Sequence, residues 1–302
     1  MNAALDRLLD RTSRDDDTVA VAKLQSMRRL VLMTLAFEGF VALRYVPYSE
    51  SPGLHAAIAA ALGVCTLLGW MERFALPAVL CALLLELITV ASVFPHNANH
   101  QFLAIALLAL IALAHPGVGP GPRPDPGDAG SAVASMRWIV LAGLVWSGVM
   151  KLAYGYWLGG EFLSYRIALD PGFARVFSPI VPDAEMARLL ALENRIGAGP
   201  FRADAPLLVA VSNLTWIAEI ALPIGLLVPR MRTFAMGALL ALMVAIQVGA
   251  RELFFAGLML GGLLLFARRD LVRRLIPVAG VSYAAWLLWP WLTRAASSGA
   301  SS

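Results

Sequence analysis

Charged residues are scarce in this sequence. They make up 15% of its 302 residues, whereas 59% are hydrophobic, and the mean hydropathy is +0.73. Water-soluble domains carry about 25% charged residues, so this composition excludes an ordinary soluble domain. The hydrophobic residues fall in runs close to the roughly 17 to 25 residues that a helix needs to cross a bilayer. The sequence therefore predicts an all-α fold, a polytopic bundle of transmembrane helices.

Lysine and cysteine are also rare. Of the 24 Lys and Arg residues, only Lys23 and Lys151 are lysines, and the arginines lie mostly in short segments between hydrophobic runs. Arginine-rich loops of this kind indicate membrane topology, so no nucleic-acid partner is expected. The two cysteines, Cys65 and Cys81, form neither a CxxC redox motif nor a zinc-ligand spacing. We expect both to be small apolar packing residues.

Nine hydrophobic segments predict transmembrane spans. They lie at 30–46, 54–70, 74–94, 102–115, 138–154, 206–228, 233–249, 253–267 and 275–292. The predicted organisation is a polar cytoplasmic leader (1–29), four spans (30–115), a Pro/Gly-rich cytoplasmic linker (116–137), a fifth span (138–154), a long outer loop (155–205), four further spans (206–292) and a Ser-rich tail (293–302).

The distribution of cations predicts the orientation of these spans. The leader, the loops that contain Arg73, Arg123 and Arg230, and the basic run at 268–274 alternate onto one side. The positive-inside rule assigns that side to the cytoplasm. We therefore expect an integral inner (cytoplasmic) membrane protein with its amino terminus inside and its carboxyl terminus outside.

The predicted outer loop has a composition of its own, with apolar and aromatic residues among polar ones. Within it, Pro182, Asp183 and Glu185 are typical of a helix start, and Gly197 of a helix end. This pattern predicts an amphipathic helix on the outer membrane surface. A loop this long with its own apolar residues is usually functional or a lid.

Lys151 lies near the outer end of the fifth predicted span. Burial favours the neutral amine of a lysine, which can act as a base, whereas arginine stays charged. Alternatively, the long side chain reaches lipid headgroups and anchors the helix. The sequence leaves both interpretations open, a base at a reactive site and a membrane anchor.

A second polar group precedes the fourth predicted span, where residues 95–100 read PHNANH. His96 and His100 would share a face in a helix, but the proline and two asparagines favour a turn that leads into the helix. A metal site is therefore not expected. An imidazole that hydrogen-bonds a reacting group, or that caps the helix, is favoured. The predicted topology places His100 and Lys151 in the same leaflet.

Three carboxylates fall near the middle of predicted spans: Glu38, Glu86 and Glu219. An ionised, unpaired carboxylate there costs several kcal/mol, roughly, so each must face the bundle interior, pair with a cation or stay protonated. They could join helices by hydrogen bonds, or they could form a proton path or the wall of a polar pocket. The candidate partners in or near other spans are Arg44, Gln247 and Arg251.

Most tryptophans lie near the ends of predicted spans, which is typical of an aromatic belt at the membrane interface. Trp157 is a candidate exception. Together with Tyr154 and Tyr156 it closely follows Lys151, and it could line a site for a flat-ring ligand.

Three motifs resemble those of the HTTM superfamily, which includes vitamin K-dependent gamma-carboxylase-like membrane proteins. SGVMKL at 147–152 followed by YWLGGE at 156–161 is similar to the G-x-x-K-L…W-x-x-G signature of this family. NHQFL at 99–103 is similar to its N-H-x-[YF]-L helix entrance, and WIAEIALP at 216–223 resembles its E-x-x-x-P helix. The resemblance extends from about the first predicted span to Arg269.

The resemblance implies a mechanism. In carboxylase-type members a reduced quinone is oxygenated, the strong base so formed removes a proton from a substrate glutamate, and CO2 adds to the carbanion. Carried over, Lys151 would deprotonate a vitamin K-like quinol dissolved in membrane lipid, and His100 would hydrogen-bond at the same site. The substrate would be a secreted peptide or a small molecule. The pocket would also include His96, Asn99, Tyr154, Trp157, Glu219, Gln247 and Arg251.

One departure from the family pattern supports a second hypothesis. Gln247 stands in the seventh predicted span, where many relatives carry a histidine. Small bacterial relatives include a maturation factor for a secreted antimicrobial peptide. The alternative is therefore a non-catalytic membrane subunit or maturation factor in which the same polar residues only join helices. A transporter is disfavoured because the two halves lack matching broken helices.

Overall fold

The computed structural model describes residues 17–42, 52–93, 99–115, 124–192, 201–250, 253–267 and 269–299. In this part of the chain there are twelve α-helices and no strand, which confirms the all-α class. The helices are α1 (Asp17–Ala42), α2 (Pro52–Gly69), α3 (Ala75–Val93), α4 (Asn99–Leu113), α5 (Pro126–Tyr154), α6 (Glu161–Leu169), α7 (Pro171–Phe177), α8 (Asp183–Leu190), α9 (Pro206–Leu227), α10 (Arg232–Ala250), α11 (Leu253–Leu264) and α12 (Val272–Gly299).

Each of the nine predicted spans overlaps one of these helices. Within the described ranges, three helical stretches are both long and apolar enough to cross a membrane, namely Glu72–Ser92, Pro126–Tyr154 and Pro206–Leu227. Four further apolar helices have only 10–17 residues, fewer than the ~20 that a straight span needs. The apolar helices indicate a membrane protein, and the count of nine spans stays a prediction.

The chain divides into two compact units. The first consists of Met1–Ile139 with Leu253–Ser302, and the second is Val140–Glu252. In the first unit α1 is the central helix and contacts α2, α3, α4, α11 and α12. Its apolar side chains are buried on most sides, which is typical of a core helix. Phe37 of α1 stacks on Tyr283 of α12 with ring centroids 4.2 Å apart.

Helix α1 begins at Asp17, within the predicted polar leader (1–29), whose first sixteen residues lie outside the described residues. Lys23 and Arg28 are buried in this part of α1. Lys23 Nζ donates to the carbonyl oxygens of Leu265 (3.0 Å) and Ala267 (2.6 Å), just after α11. The last carbonyls of a helix lack partners within the helix and carry partial negative charge, so a buried cation is stabilised there.

Helix α5 also begins earlier than predicted, inside the segment assigned to a flexible linker (116–137). The proline that indicated a linker, Pro126, is the first residue of the helix, where proline is favoured because no intrahelical N–H bond is lost. Asp125 Oδ1 accepts a hydrogen bond from Gly127 N at 2.8 Å and helps to start the helix. Ala129 and Val133 of this first part are buried in the core of the first unit.

At the other end of the chain, α12 continues to Gly299, within the predicted Ser-rich tail.

The second unit contains the predicted outer loop, and three short helices lie in the described part of it. Helix α6 contacts α7, α8 and α9, while α9 and α10 pack together. Leu163, Phe173 and Leu189 lie in the apolar core of this unit. Helix α8 begins at the predicted residue, Asp183, but it ends at Leu190 and not near Gly197. Its position on a membrane surface stays a prediction.

Candidate functional site

The second unit contains a buried ion pair between Lys151 of α5 and Glu219 of α9. Lys151 Nζ donates to both carboxylate oxygens of Glu219 and, at 3.1 Å, to Ser147 Oγ. The side chain of Lys151 is 18% exposed and that of Glu219 only 4%. A single charge buried among apolar groups would be strongly unfavourable, so each partner makes the burial of the other possible.

This pair was missed by the sequence analysis. The candidate partners for the mid-membrane carboxylates were Arg44, Gln247 and Arg251, whereas Glu219 pairs with Lys151. Both residues had been singled out, but separately, because they lie 68 positions apart. The available signal was that each is an isolated ionisable residue in an apolar helix, and such residues tend to pair.

Trp157 lies beside the ammonium group of Lys151. Lys151 Nζ is 4.8 Å from the centre of the Trp157 ring, within the range of a cation–π interaction. The indole also stacks on Phe162, with ring centroids 4.7 Å apart. Two hydrogen bonds from α9 hold the backbone of Trp157 and Leu158. Ser212 Oγ donates to the Trp157 carbonyl (2.7 Å), and Asn213 Nδ2 donates to the Leu158 carbonyl (3.0 Å). The face of a large aromatic ring is thus fixed against the ion pair.

Gly148 sets the distance between α5 and α9. A Cβ atom at this position would lie 2.6 Å from Ile220 Cγ1, 2.9 Å from the Trp216 carbonyl oxygen and 3.2 Å from Glu219 Cβ. The two helices therefore approach where a residue lacks a side chain, as small residues allow in membrane proteins. Lys151 follows about one helical turn later, on the same face. The SGVMKL motif thus supplies the Ser147 hydroxyl, the glycine at which α5 approaches α9, and the ammonium group of Lys151.

The turn after α5 depends on glycine. Gly155 and Gly160 have φ angles of +74° and +75°, which side-chain-bearing residues rarely adopt. Between them, Gly159 N donates to Glu161 Oε2 at 3.1 Å, and the Gly159 carbonyl accepts from Ala203 N at 3.1 Å. The YWLGGE segment therefore forms a defined turn that carries Trp157 back to α9.

Of the remaining predicted site residues, Tyr154 alone has a side chain that the structure describes. Tyr154 is 64% exposed, and its ring stacks with that of Tyr156. Asn99 and His100 begin α4. The side chains of His96, Asn99, His100, Gln247 and Arg251 lie outside the described residues, so their predicted roles stay predictions.

Two of the three carboxylates predicted near the middle of the membrane lie in the first unit. Glu86 of α3 is buried, and among the described residues its Oε1 atom has no hydrogen-bond partner. Glu38 lies in α1. No group of three or more His, Cys, Asp or Glu residues converges in a metal-binding arrangement among the residues described.

A second polar network joins α8 to the segment before α9. Glu185 accepts hydrogen bonds from Arg188 Nε (2.6 Å) and Nη2 (2.7 Å) and from the backbone N–H of Asp204 (2.9 Å). Arg188 Nη2 also donates to the Arg202 carbonyl at 2.8 Å. The hydrogen bond from Arg188 lowers the pKa of Glu185 below its ordinary value, although partial burial opposes this. The network attaches residues 202–204 to α8.

Comparisons of the chain with protein-family models, curated proteins and solved structures found no match. The described residues form an all-helical protein with a buried Lys–Glu pair between two candidate membrane spans, and the apolar helices indicate a membrane protein.

The close approach at Gly148 predicts that a side chain added at this position of α5 destabilises the protein. Gly148→Ala should lower the free energy of unfolding by about 1 to 3 kcal/mol, because the added methyl group meets the backbone of α9. Gly143→Ala is the matched control on the same helix, since nothing lies within 4 Å of its added Cβ. It should be neutral or slightly stabilising. Thermal unfolding in detergent measures both, and equal midpoints would contradict the close approach.

The Glu185 network predicts a pH dependence. Because the pKa of Glu185 is lowered in the folded state, its contribution to stability is complete above the ordinary glutamate pKa of about 4.3 and is lost as the pH falls through the lower, folded value. Glu185→Gln should therefore cost about 1 to 2 kcal/mol at pH 7 and progressively less at lower pH. Unfolding midpoints between pH 7 and pH 3 test this, with the exposed Asp183→Asn on the same helix as control. A pH-independent difference between wild type and Glu185→Gln would contradict the assignment.

Proposed function

We propose that this protein is an integral membrane enzyme of the HTTM type in which Lys151 and Glu219 form a proton-transfer pair. The observation that supports this proposal is the buried ion pair beside the fixed face of Trp157. An aromatic ring with a hydroxyl group, as in a quinol, fits these residues because they offer a flat aromatic surface, a carboxylate and an amine. The product of the reaction would be a modified secreted peptide or small molecule.

The pair can supply a base without leaving a net charge in an apolar site. In the observed arrangement Lys151 donates to Glu219. Transfer of one proton from Lys151 to Glu219 gives a neutral amine and a neutral carboxylic acid, so the pair has no net charge before or after the transfer. The amine can then accept a phenolic proton. The resulting ammonium stays beside the new phenolate, so positive and negative charge remain matched throughout.

A non-catalytic membrane subunit or maturation factor is the second candidate function, and one observation favours it. An ammonium group has three N–H donors, and those of Lys151 have three acceptors: the two Glu219 oxygens and Ser147 Oγ. The ion pair is therefore complete without a ligand. In this role Lys151 and Glu219 would only hold α5 and α9 together.

The predicted orientation belongs to the same proposal. The cation-rich short loops support an inner-membrane protein with its amino terminus in the cytoplasm and its carboxyl terminus outside. Reporter proteins fused after Arg230 and after Ser302 should then report opposite sides of the membrane. If both report the same side, the number of spans between them differs from the prediction by one.

Substitutions at the ion pair separate the two functions. Lys151→Arg keeps the positive charge, but a guanidinium does not release its proton near neutral pH. If Lys151 is a base, this variant inserts normally and is inactive, whether quinol oxidation or maturation of the cellular substrate is measured. If Lys151 only joins helices, the arginine variant retains most of its activity. Wild-type activity in Lys151→Arg would contradict the catalytic assignment.

A double variant controls for folding. Lys151→Met alone leaves Glu219 buried and unpaired, which should destabilise the protein by about 3 to 5 kcal/mol. Lys151→Met with Glu219→Gln removes both charges, so most of that stability should return. The proposal expects a folded, inactive protein, and activity in this double variant would support the non-catalytic role.

A further inference from the structure

In the first unit a buried arginine has more hydrogen-bond donors than acceptors. Arg28 of α1 is 0% exposed, and its Nη2 atom donates to Glu72 Oε1 at 2.8 Å. Among the residues that the structure describes, its buried Nε and Nη1 atoms have no hydrogen-bond partner, and neither does the buried Nε atom of Arg29. A buried donor without an acceptor is destabilising, and more so when it is charged. The cluster therefore needs a further acceptor.

The charges of this cluster point to an anion. Arg29 Nη2 donates to the same oxygen, Glu72 Oε1, at 3.2 Å. Two guanidinium groups thus share one carboxylate, which leaves a formal charge of +1 in a largely buried cluster. Arg73 lies beside it in sequence with its guanidinium over the Phe74 ring at 4.5 Å, and adds further positive charge. An anionic oxygen is the acceptor that satisfies both the donors and the charge.

The position of the cluster suggests where the anion comes from. Glu72 begins one of the three candidate membrane spans. Trp70 and Met71, immediately before it, are exposed, and Arg29 lies 5.8 Å from the centre of the Trp70 ring. Exposed tryptophan and arginine at the end of a span are typical of the level of lipid headgroups. Glu72 is 44% exposed and Arg29 30%, so the cluster is open to its surroundings at these two side chains.

We propose that Arg28, Arg29 and Glu72 form a binding site for a phosphate group, with an anionic lipid headgroup as its source. Phosphate oxygens accept the forked N–H groups of arginine in a planar, bidentate geometry. Glu72 is the resident acceptor, and its carboxylate either moves aside or shares the two guanidinium groups with the phosphate. This site is independent of the Lys151–Glu219 pair and of the function proposed for it.

The test measures ligand-dependent stability of the full-length protein in a zwitterionic detergent. Phosphatidylglycerol, phosphatidylcholine and inorganic phosphate are titrated separately, and the unfolding midpoint is followed. The wild type should be stabilised by phosphatidylglycerol at concentrations at which phosphatidylcholine has little effect. A response to inorganic phosphate at equal concentration would assign the same site to free phosphate.

Arg28→Gln changes a fully buried residue and can fail to fold. The test therefore uses variants at the partly exposed positions Arg29 and Glu72. Arg29→Gln should weaken the response about tenfold, because it removes one charged donor. Glu72→Gln should strengthen the response, because it removes the competing carboxylate. Arg73→Gln is the matched control for loss of one nearby positive charge, and it should have a smaller effect than Arg29→Gln. A response that is absent in the wild type, or equal in Arg29→Gln and Arg73→Gln, would overturn the proposal.

Discussion

Burial of charge is the constraint on which the described structure depends. Burying a cation in apolar surroundings is costly unless its donors have acceptors, and two arrangements in the described part of the chain supply such acceptors. Lys151 binds a carboxylate on another helix, whereas Lys23 binds carbonyl oxygens just after the end of α11. Arg137 binds the same Leu265 carbonyl as Lys23, because its Nε and Nη2 atoms donate to that oxygen at 2.9 and 2.6 Å. In each case a polar bond fixes which helices are neighbours.

The ion pair and the helix approach in the second unit depend on each other. Lys151 reaches Glu219 because Gly148 lets α5 come close to α9 about one turn earlier. Without the pair, that approach would leave two unmatched charges in an apolar site. Trp157 extends the same arrangement, since its backbone is tied to α9 while its ring covers the ammonium group. Packing, hydrogen bonding and electrostatics therefore favour one relative position of these two helices.

The hydrophobic pattern predicted where helices occur, and each of the nine segments does lie on a helix. It failed at helix starts, because charge and proline were taken as signs of solvent-exposed chain. The burial of Lys23 in a helix could not be predicted, because its acceptors lie 242 and 244 positions away and no local pattern indicates partners so distant. Pro126 was misinterpreted because proline both interrupts helices and begins them. Lys151 and Glu219 were predicted as site residues individually, but their pairing depends on tertiary structure.

Polar contacts hold both lysines of this sequence. Lys23 and Lys151 each direct one compact ammonium group at more than one oxygen. Rarity therefore does not by itself identify a base. What distinguishes Lys151 from Lys23 is its acceptor. A backbone carbonyl cannot take up a proton, whereas the Glu219 carboxylate can, so in the proposed mechanism Lys151 becomes neutral without a proton leaving the pair.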